Sequence, residues 1–281
     1  MGEGLRLMDN SKTKNIFILI LLALNLFLLG LVLLDRAETA GTRRAAKEAA
    51  LLLLDENGIA PGGDVQLGET APAVYSLTRS MEAEQRIFSS LLGTVRSEDL
   101  GGNIRFYASS SGQASARGTG EMDILLTPGD YTLGGDPARS AAKVVKKLGL
   151  SPDVSGAAVE SEGEATLVTL PLMWKGCRVY NASVKLTYGD GELVMLSGTR
   201  LFDTASHQTT ETMDSLTAVV RFIEAVRGGG YVCRELLSVQ CGYVLSVTVS
   251  GESTLTPVWE FTTDTVSVYI NAVTGRAETI I

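Results

Sequence analysis

The chain has 281 residues, 45% of them hydrophobic, and carries 32 acidic against 24 basic side chains for a net charge of −8. Two of the acidic and three of the basic residues lie in the first 34 positions, leaving 30 against 21 beyond them. That surplus argues against a nucleic-acid surface and against docking of this part onto anionic lipid.

In chain order, residues 1–15 form a short polar arm containing Arg6, Lys12 and Lys14. From Ile16 to Leu34 there are nineteen residues without a charge, and Asn25 is the only strongly polar side chain among them. A helix of that length reaches about 30 Å, the thickness of a hydrocarbon core, so the stretch predicts a transmembrane helix in the lipid bilayer. It is longer than the h-region of a signal peptide. Cleavage after Ala37 or Ala40 would place Asp35 or Glu38 where a small residue is wanted, so an uncleaved anchor is expected. Arg36, Arg43, Arg44 and Lys47 follow the span closely, and the positive-inside count does not decide its orientation. The short arm and large remainder favour a cytoplasmic amino terminus with residues 35–281 outside. Within the span, Ala23, Phe27 and Gly30 share one helical face and Asn25 points the opposite way, at 100° per residue. Small residues allow close helix approach and an intramembrane Asn can bond a neighbouring helix, so these four are the candidate interaction residues.

Residues 35–72 read as a stalk helix and a linker. Thr42 to Leu54 contains good helix formers with Ala46, Ala49, Ala50, Leu53 and Leu54 as an apolar stripe, and Asn57-Gly58 is a stop signal. Residues 60–72 are rich in Pro and Gly. Three helix-then-strands units follow. In the first, residues 73–135, Ser80 caps a helix over Met81 to Leu92 with Ile87, Phe88, Leu91 and Leu92 inward. Strands at Ile104–Ala108 and Met122–Leu126 flank a loop from Ser109 to Gly120.

In the second, residues 136–205, Asp136 caps and Pro137 opens a helix to Leu148, with Ala141, Val144, Val145 and Leu148 inward. Strands at Ala165–Trp174, Cys177–Tyr188 and Glu192–Phe202 follow, separated by the turns Lys175-Gly176 and Gly189-Asp190-Gly191. In the third, residues 206–281, a Thr212 or Asp214 cap leads a helix whose face is Leu216, Val219, Val220, Ile223 and Val226, broken by Gly228-Gly229-Gly230. Strands at Glu235–Val249, Leu255–Thr263, Val266–Asn271 and Arg276–Ile280 complete it. The fold class expected is α+β: one amino-terminal transmembrane helix, then repeated units of a helix packed on an antiparallel sheet.

No catalytic, cofactor-binding or metal-binding constellation is read from the sequence. His207, the single histidine, sits in a polar stretch, Asp203 to Gln208, that reads as a solvated loop without a nucleophile elbow. Asn181-Ala182-Ser183 fits a glycosylation sequon but lies inside an expected strand. Cys177, Cys233 and Cys241 are odd in number, match no zinc spacing and imply no disulfide framework. Cys233 and Cys241 could face each other across a turn or be buried free thiols.

Two groups of residues carry a resemblance. Met8-Asp9-Asn10-Ser11-Lys12-Thr13-Lys14, with Ile16-Phe17-Ile18 and Leu24-Asn25-Leu26-Phe27-Leu28, resembles the start of YycI-type proteins. These are single-pass extracytoplasmic regulators of the essential cell-wall sensor histidine kinase of low-GC Gram-positive bacteria, acting beside the related YycH. Trp174 to Leu193, and Leu255-Thr256-Pro257-Val258-Trp259-Glu260-Phe261 with Tyr269-Ile270-Asn271-Ala272-Val273-Thr274-Gly275, resemble PepSY-like modules. The resemblance implies a non-enzymatic regulator at the cell membrane. It would use no cofactor, pair with a YycH-like partner and pack its transmembrane helix against helices of the kinase. The competing class is a generic PepSY-domain envelope protein that binds or inhibits a protease or a peptidoglycan-processing enzyme.

Overall fold

The computed structural model describes residues 21, 41–63, 65–201, 204–248 and 252–280. The chain divides into two compact units, residues 1–53 and 54–281. The expected span 16–34 lies, apart from Leu21, outside the described residues, and among those no helix is long and apolar enough to cross a membrane. Helix α1 is described over residues 41–56 and ends where Asn57-Gly58 requires. Gly58 takes φ 73°, and Ile59 N–H donates back to the Leu54 carbonyl at 3.0 Å. Only a residue tolerant of positive φ closes a helix this way.

The second unit is mixed α+β and mostly sheet. Strands β1 (Ala60–Pro61) and β2 (Tyr75–Thr78) precede helix α2 (Met81–Leu92) and a four-stranded meander, β3 (Arg96–Gly101), β4 (Ile104–Ser109), β5 (Gly112–Arg117) and β6 (Glu121–Leu126). Helix α3 (Pro137–Lys147) leads to the short strands β7 (Ser151–Pro152) and β8 (Ala158–Glu162), then to β9 (Ala165–Trp174), β10 (Cys177–Gly189) and β11 (Glu192–Thr199). Strand β12 (Thr204–His207) precedes helix α4 (Ser215–Gly229) and a last meander, β13 (Glu235–Val247), β14 (Ser253–Thr263), β15 (Ser267–Asn271) and β16 (Ala277–Glu278).

Each long helix is capped by the residue its sequence offers. Ser80 accepts from Ala83 N–H, Asp136 from Arg139 N–H and Asp214 from Thr217 N–H at 2.8 Å, each satisfying one of the amides that a helix start leaves without a partner. The buried side of α3 is Ala141, Ala142, Val144 and Val145, as the apolar spacing requires. On α4 the buried set is Ser215, Ala218, Val219, Phe222 and Ile223, with Phe222 stacked on Phe261 at a centroid distance of 4.5 Å. Val220, expected inward, is 42% exposed. It follows Val219 by about 100° around the helix and so leaves the i, i+3, i+4, i+7, i+8 face that meets the sheet.

The expected loop from Ser109 to Gly120 contains β5, a complete strand between β4 and β6. Its buried side chains are only Ala114 and Ala116, too small to register as an apolar alternation. The expected linker 60–72 contributes β1, parallel to β13, and an isolated bridge from Thr70 to Asp214. The strands then join edge to edge: β12, β2, β14, β13, β10, β11, β6, β5, β4 and β3 form one path. β10 is its pivot. Near its start Val179 lies opposite Tyr243 of β13 in parallel, and from Val184 onward it pairs antiparallel with β11. Its ladder with β9 slips between Val179 and Ser183, and this irregularity separates the part of β10 facing β13 from the part facing β11.

Candidate interaction site

The intramembrane candidates Ala23, Asn25, Phe27 and Gly30 lie outside the described residues. Within the second unit, the seam between β10 and β13 concentrates the polar and aromatic groups. It is built around the β9–β10 hairpin, whose two-residue turn Lys175-Gly176 has φ of 49° and 85°. Positive φ at both positions gives the turn twist that matches the strands. Just beyond it β10 and β13 approach so closely that a Cβ on Gly242 would lie 2.4 Å from the Tyr180 ring and 2.6 Å from the Arg178 carbonyl oxygen. Only glycine fits there. Within the irregularity, the Asn181 amide donates to the Leu245 carbonyl at 2.8 Å and its oxygen accepts from Leu245 N–H at 2.8 Å. The side chain thereby replaces a missing rung of backbone pairing, and the amide nitrogen of the sequon is engaged in that bond.

A cleft of about 380 Å³ opens at this seam, lined by Asp153, Cys177, Arg178, Tyr180, Gln240 and Cys241 among others. Asp153 accepts from the Ser155 hydroxyl at 2.6 Å and from the Ser155 and Gly156 amides, and these bonds, the hydroxyl first, hold its carboxyl below the usual carboxylate range. Burial pushes the Tyr180 phenol far above its ordinary value, and Glu260 beside it acts in the same direction. The Tyr180 ring lies 5.0 Å from that of Tyr269, whose hydroxyl donates to Glu260 at 2.9 Å. Burial also raises the Cys177 thiol and takes Cys241 up to about 12, so both are protonated at neutral pH and neither is an activated nucleophile.

A smaller cleft of about 190 Å³ shares Met173 and the hairpin, and is lined further by Leu150, Trp174, Lys175 and Leu201. Beside it Tyr75 makes T-shaped contacts with Trp174, Tyr243 and His207 at centroid distances of 6.2, 6.3 and 6.0 Å, and Lys175 Nζ lies 4.1 Å from its centroid. The Trp174 indole N–H is buried without an acceptor. His207, expected in a loop, belongs to edge strand β12 opposite Tyr75 and is exposed. The polar run of this strand hid it, because an edge needs no apolar alternation.

The most deeply buried charges lie elsewhere. Glu84 on α2 is fully buried, accepting from Arg79 Nε and Nη2 at 2.7 and 2.8 Å, from the Tyr107 hydroxyl at 3.2 Å and from Arg200 Nη1 at 3.3 Å. Arg79 continues to the carbonyls of Asn103 and Ala116. This cluster ties α2 to the first meander and opens onto no described cleft. Among the described residues there is no group of three or more His, Cys, Asp or Glu that could hold a metal ion. The arrangement at the seam offers hydrogen bonds, one carboxylate, one guanidinium and aromatic surface, which suits recognition.

No family model matches the chain, and no curated protein matches its sequence. Among solved structures it is similar to an uncharacterized protein from Eubacterium rectale ATCC 33656, at 10% sequence identity, covering 79% of this chain and 90% of that one with a TM-score of 0.45. It is also similar to the Bacillus megaterium YpeB C-terminal domain, at 13% identity, covering 73% of this chain and 97% of that one with a TM-score of 0.38.

Proposed function

We propose that the chain is a non-enzymatic, single-pass membrane protein whose α+β domain lies outside the cell, and that it regulates a sensor histidine kinase of cell-wall homeostasis beside a YycH-like partner. The observation that carries this reading is the uncharged stretch Ile16–Leu34 with its lone Asn25, preceded by the arm that resembles YycI-type proteins. The domain is consistent with work by contact: its clefts are open, its thiols are protonated, and its deepest charges tie helix to sheet. The module is PepSY-like in its strand motifs, and the motif atoms act on the fold. Asn271 Oδ1 accepts from the amides of Val273 and Thr274 at 2.9 Å, its Nδ2 donates to Glu278, and Gly275 takes φ 72°.

A regulator of this kind needs only unequal contact energy with the two signalling states of its target, and roughly 1–3 kcal/mol of coupling suffices. Full-length protein pulled from solubilised membranes should retain the kinase and the YycH-like protein, whereas a variant with residues 16–34 scrambled at constant composition should lose the kinase. Equal recovery of the kinase by both would contradict the role of the span. Protease added to wall-stripped cells should remove the domain beyond residue 35 and leave the arm around Lys12 intact. A domain digested only after lysis would reverse the topology.

A further inference from the structure

We propose that Cys177 and Cys241 are a disulfide-forming pair that closes the seam between β10 and β13. Val179 lies opposite Tyr243 in parallel pairing, and two residues back on each strand places Cys177 opposite Cys241. The contact of Gly242 with Arg178, one step nearer, keeps the same register. Paired strands lie about 4.8 Å apart, and residues two apart on a strand share a face. A disulfide needs Cα atoms roughly 4.4–6.8 Å apart, a range that includes the spacing of paired strands, so the register of Val179 and Tyr243 continued by two residues puts this pair at the right separation. Both cysteines line the same cleft of about 380 Å³, which gives a small oxidant access to them. Among the described residues, the charged groups near the pair include Glu69, whose charge bears on Cys241, and Asp153 and Arg178 in the cleft.

Cys233 is not a competing partner. It precedes β13, and the extended run from Glu235 to Cys241 covers about 20 Å at the usual rise. The expectation that Cys233 and Cys241 face each other across a turn is thereby replaced: a strand runs between them.

The step is a thiol–disulfide exchange with a low-molecular-weight disulfide as oxidant. Cys177 loses its proton and attacks the oxidant, forming a mixed disulfide and releasing one thiol. Cys241 then loses its proton and attacks the Cys177 sulfur, forming the protein disulfide and releasing the second thiol. Two protein thiols are oxidised and one small disulfide is reduced. The bond would join strands whose direct pairing at the seam is one ladder position and the two bonds of Asn181.

The test uses purified full-length protein in detergent, so it is independent of which side of the membrane the domain occupies. After exposure to excess oxidised glutathione, remaining thiols are alkylated under denaturing conditions and the digest is mapped by mass spectrometry. The expected result is one cross-linked peptide pair joining Cys177 to Cys241, alkylation at Cys233 alone, and a Tm above that of the reduced protein that returns on reduction. A Cys233→Ser variant should give the same cross-link. Alkylation at all three cysteines, stable glutathione adducts on Cys177 or Cys241, or a cross-link to Cys233 would overturn the pairing.

Discussion

Asparagine side chains organise two of the places where this domain's backbone departs from regular pairing. Asn271 folds the β15 turn onto itself, and Asn181 takes the role of a backbone rung beside Leu245. Replacing Asn181 with Ala should lower stability by about 1 kcal/mol, the usual net worth of such bonds near a surface. A thermal melt unchanged from the parent would mean that water replaces them. Tyr188 makes the opposite case. Its hydroxyl is buried without a partner, and burial raises its pKa from 10.0 to about 12. A raised folded-state pKa contributes stability that is complete below pH 10 and is lost as pH rises through about 12. Tyr188→Phe should therefore be neutral or stabilising at pH 7 and should move the alkaline unfolding midpoint upward. An unmoved midpoint would locate the alkaline sensitivity at other groups, such as Tyr269. The sequence made Asn271 visible as part of a phrase. Asn181 was legible only as a sequon, because its partner lies 64 residues away.

Elements show the same division between local and distant information. Caps and stops at Ser80, Asp136, Asp214 and Gly58 are local chemistry and stand where the residues place them. Faces are local too, but a run of two valines hides which one is buried. Val144→Asp should cost several kcal/mol, since it buries a carboxylate without a partner, whereas Val220→Asp should change stability by no more than about 0.5 kcal/mol. Paired chemical denaturation of the two variants checks this. Equal losses would mean that α4 packs with a different face. Strands β5 and β12 stayed hidden because small or polar side chains form them, one held by neighbours on both sides and the other on an edge.

At the scale of the whole molecule, the joining of β6 to β11 and of β10 to β13 is set by non-local pairing that no spacing along the chain announces. The seam cleft follows from that joining and was equally silent; only its constituents, the Trp174 to Arg178 turn and the cysteines, stood out. The proposed anchor is the reverse: it rests on the composition of residues 16–34 alone. Hydrophobicity does not draw helices together in lipid, so a regulatory span must act through packing and hydrogen bonds. Gly30→Leu on the Ala23 and Phe27 face, and Asn25→Leu opposite, should each weaken regulation without impairing insertion, because both raise the hydropathy of the span. The most direct measurement is output from a kinase-dependent promoter in cells whose copy of this protein carries polyleucine in place of residues 16–34, with membrane levels matched. The account predicts output like that of a strain lacking the protein. Full regulation by the polyleucine variant would contradict it and assign the activity to the domain outside the span.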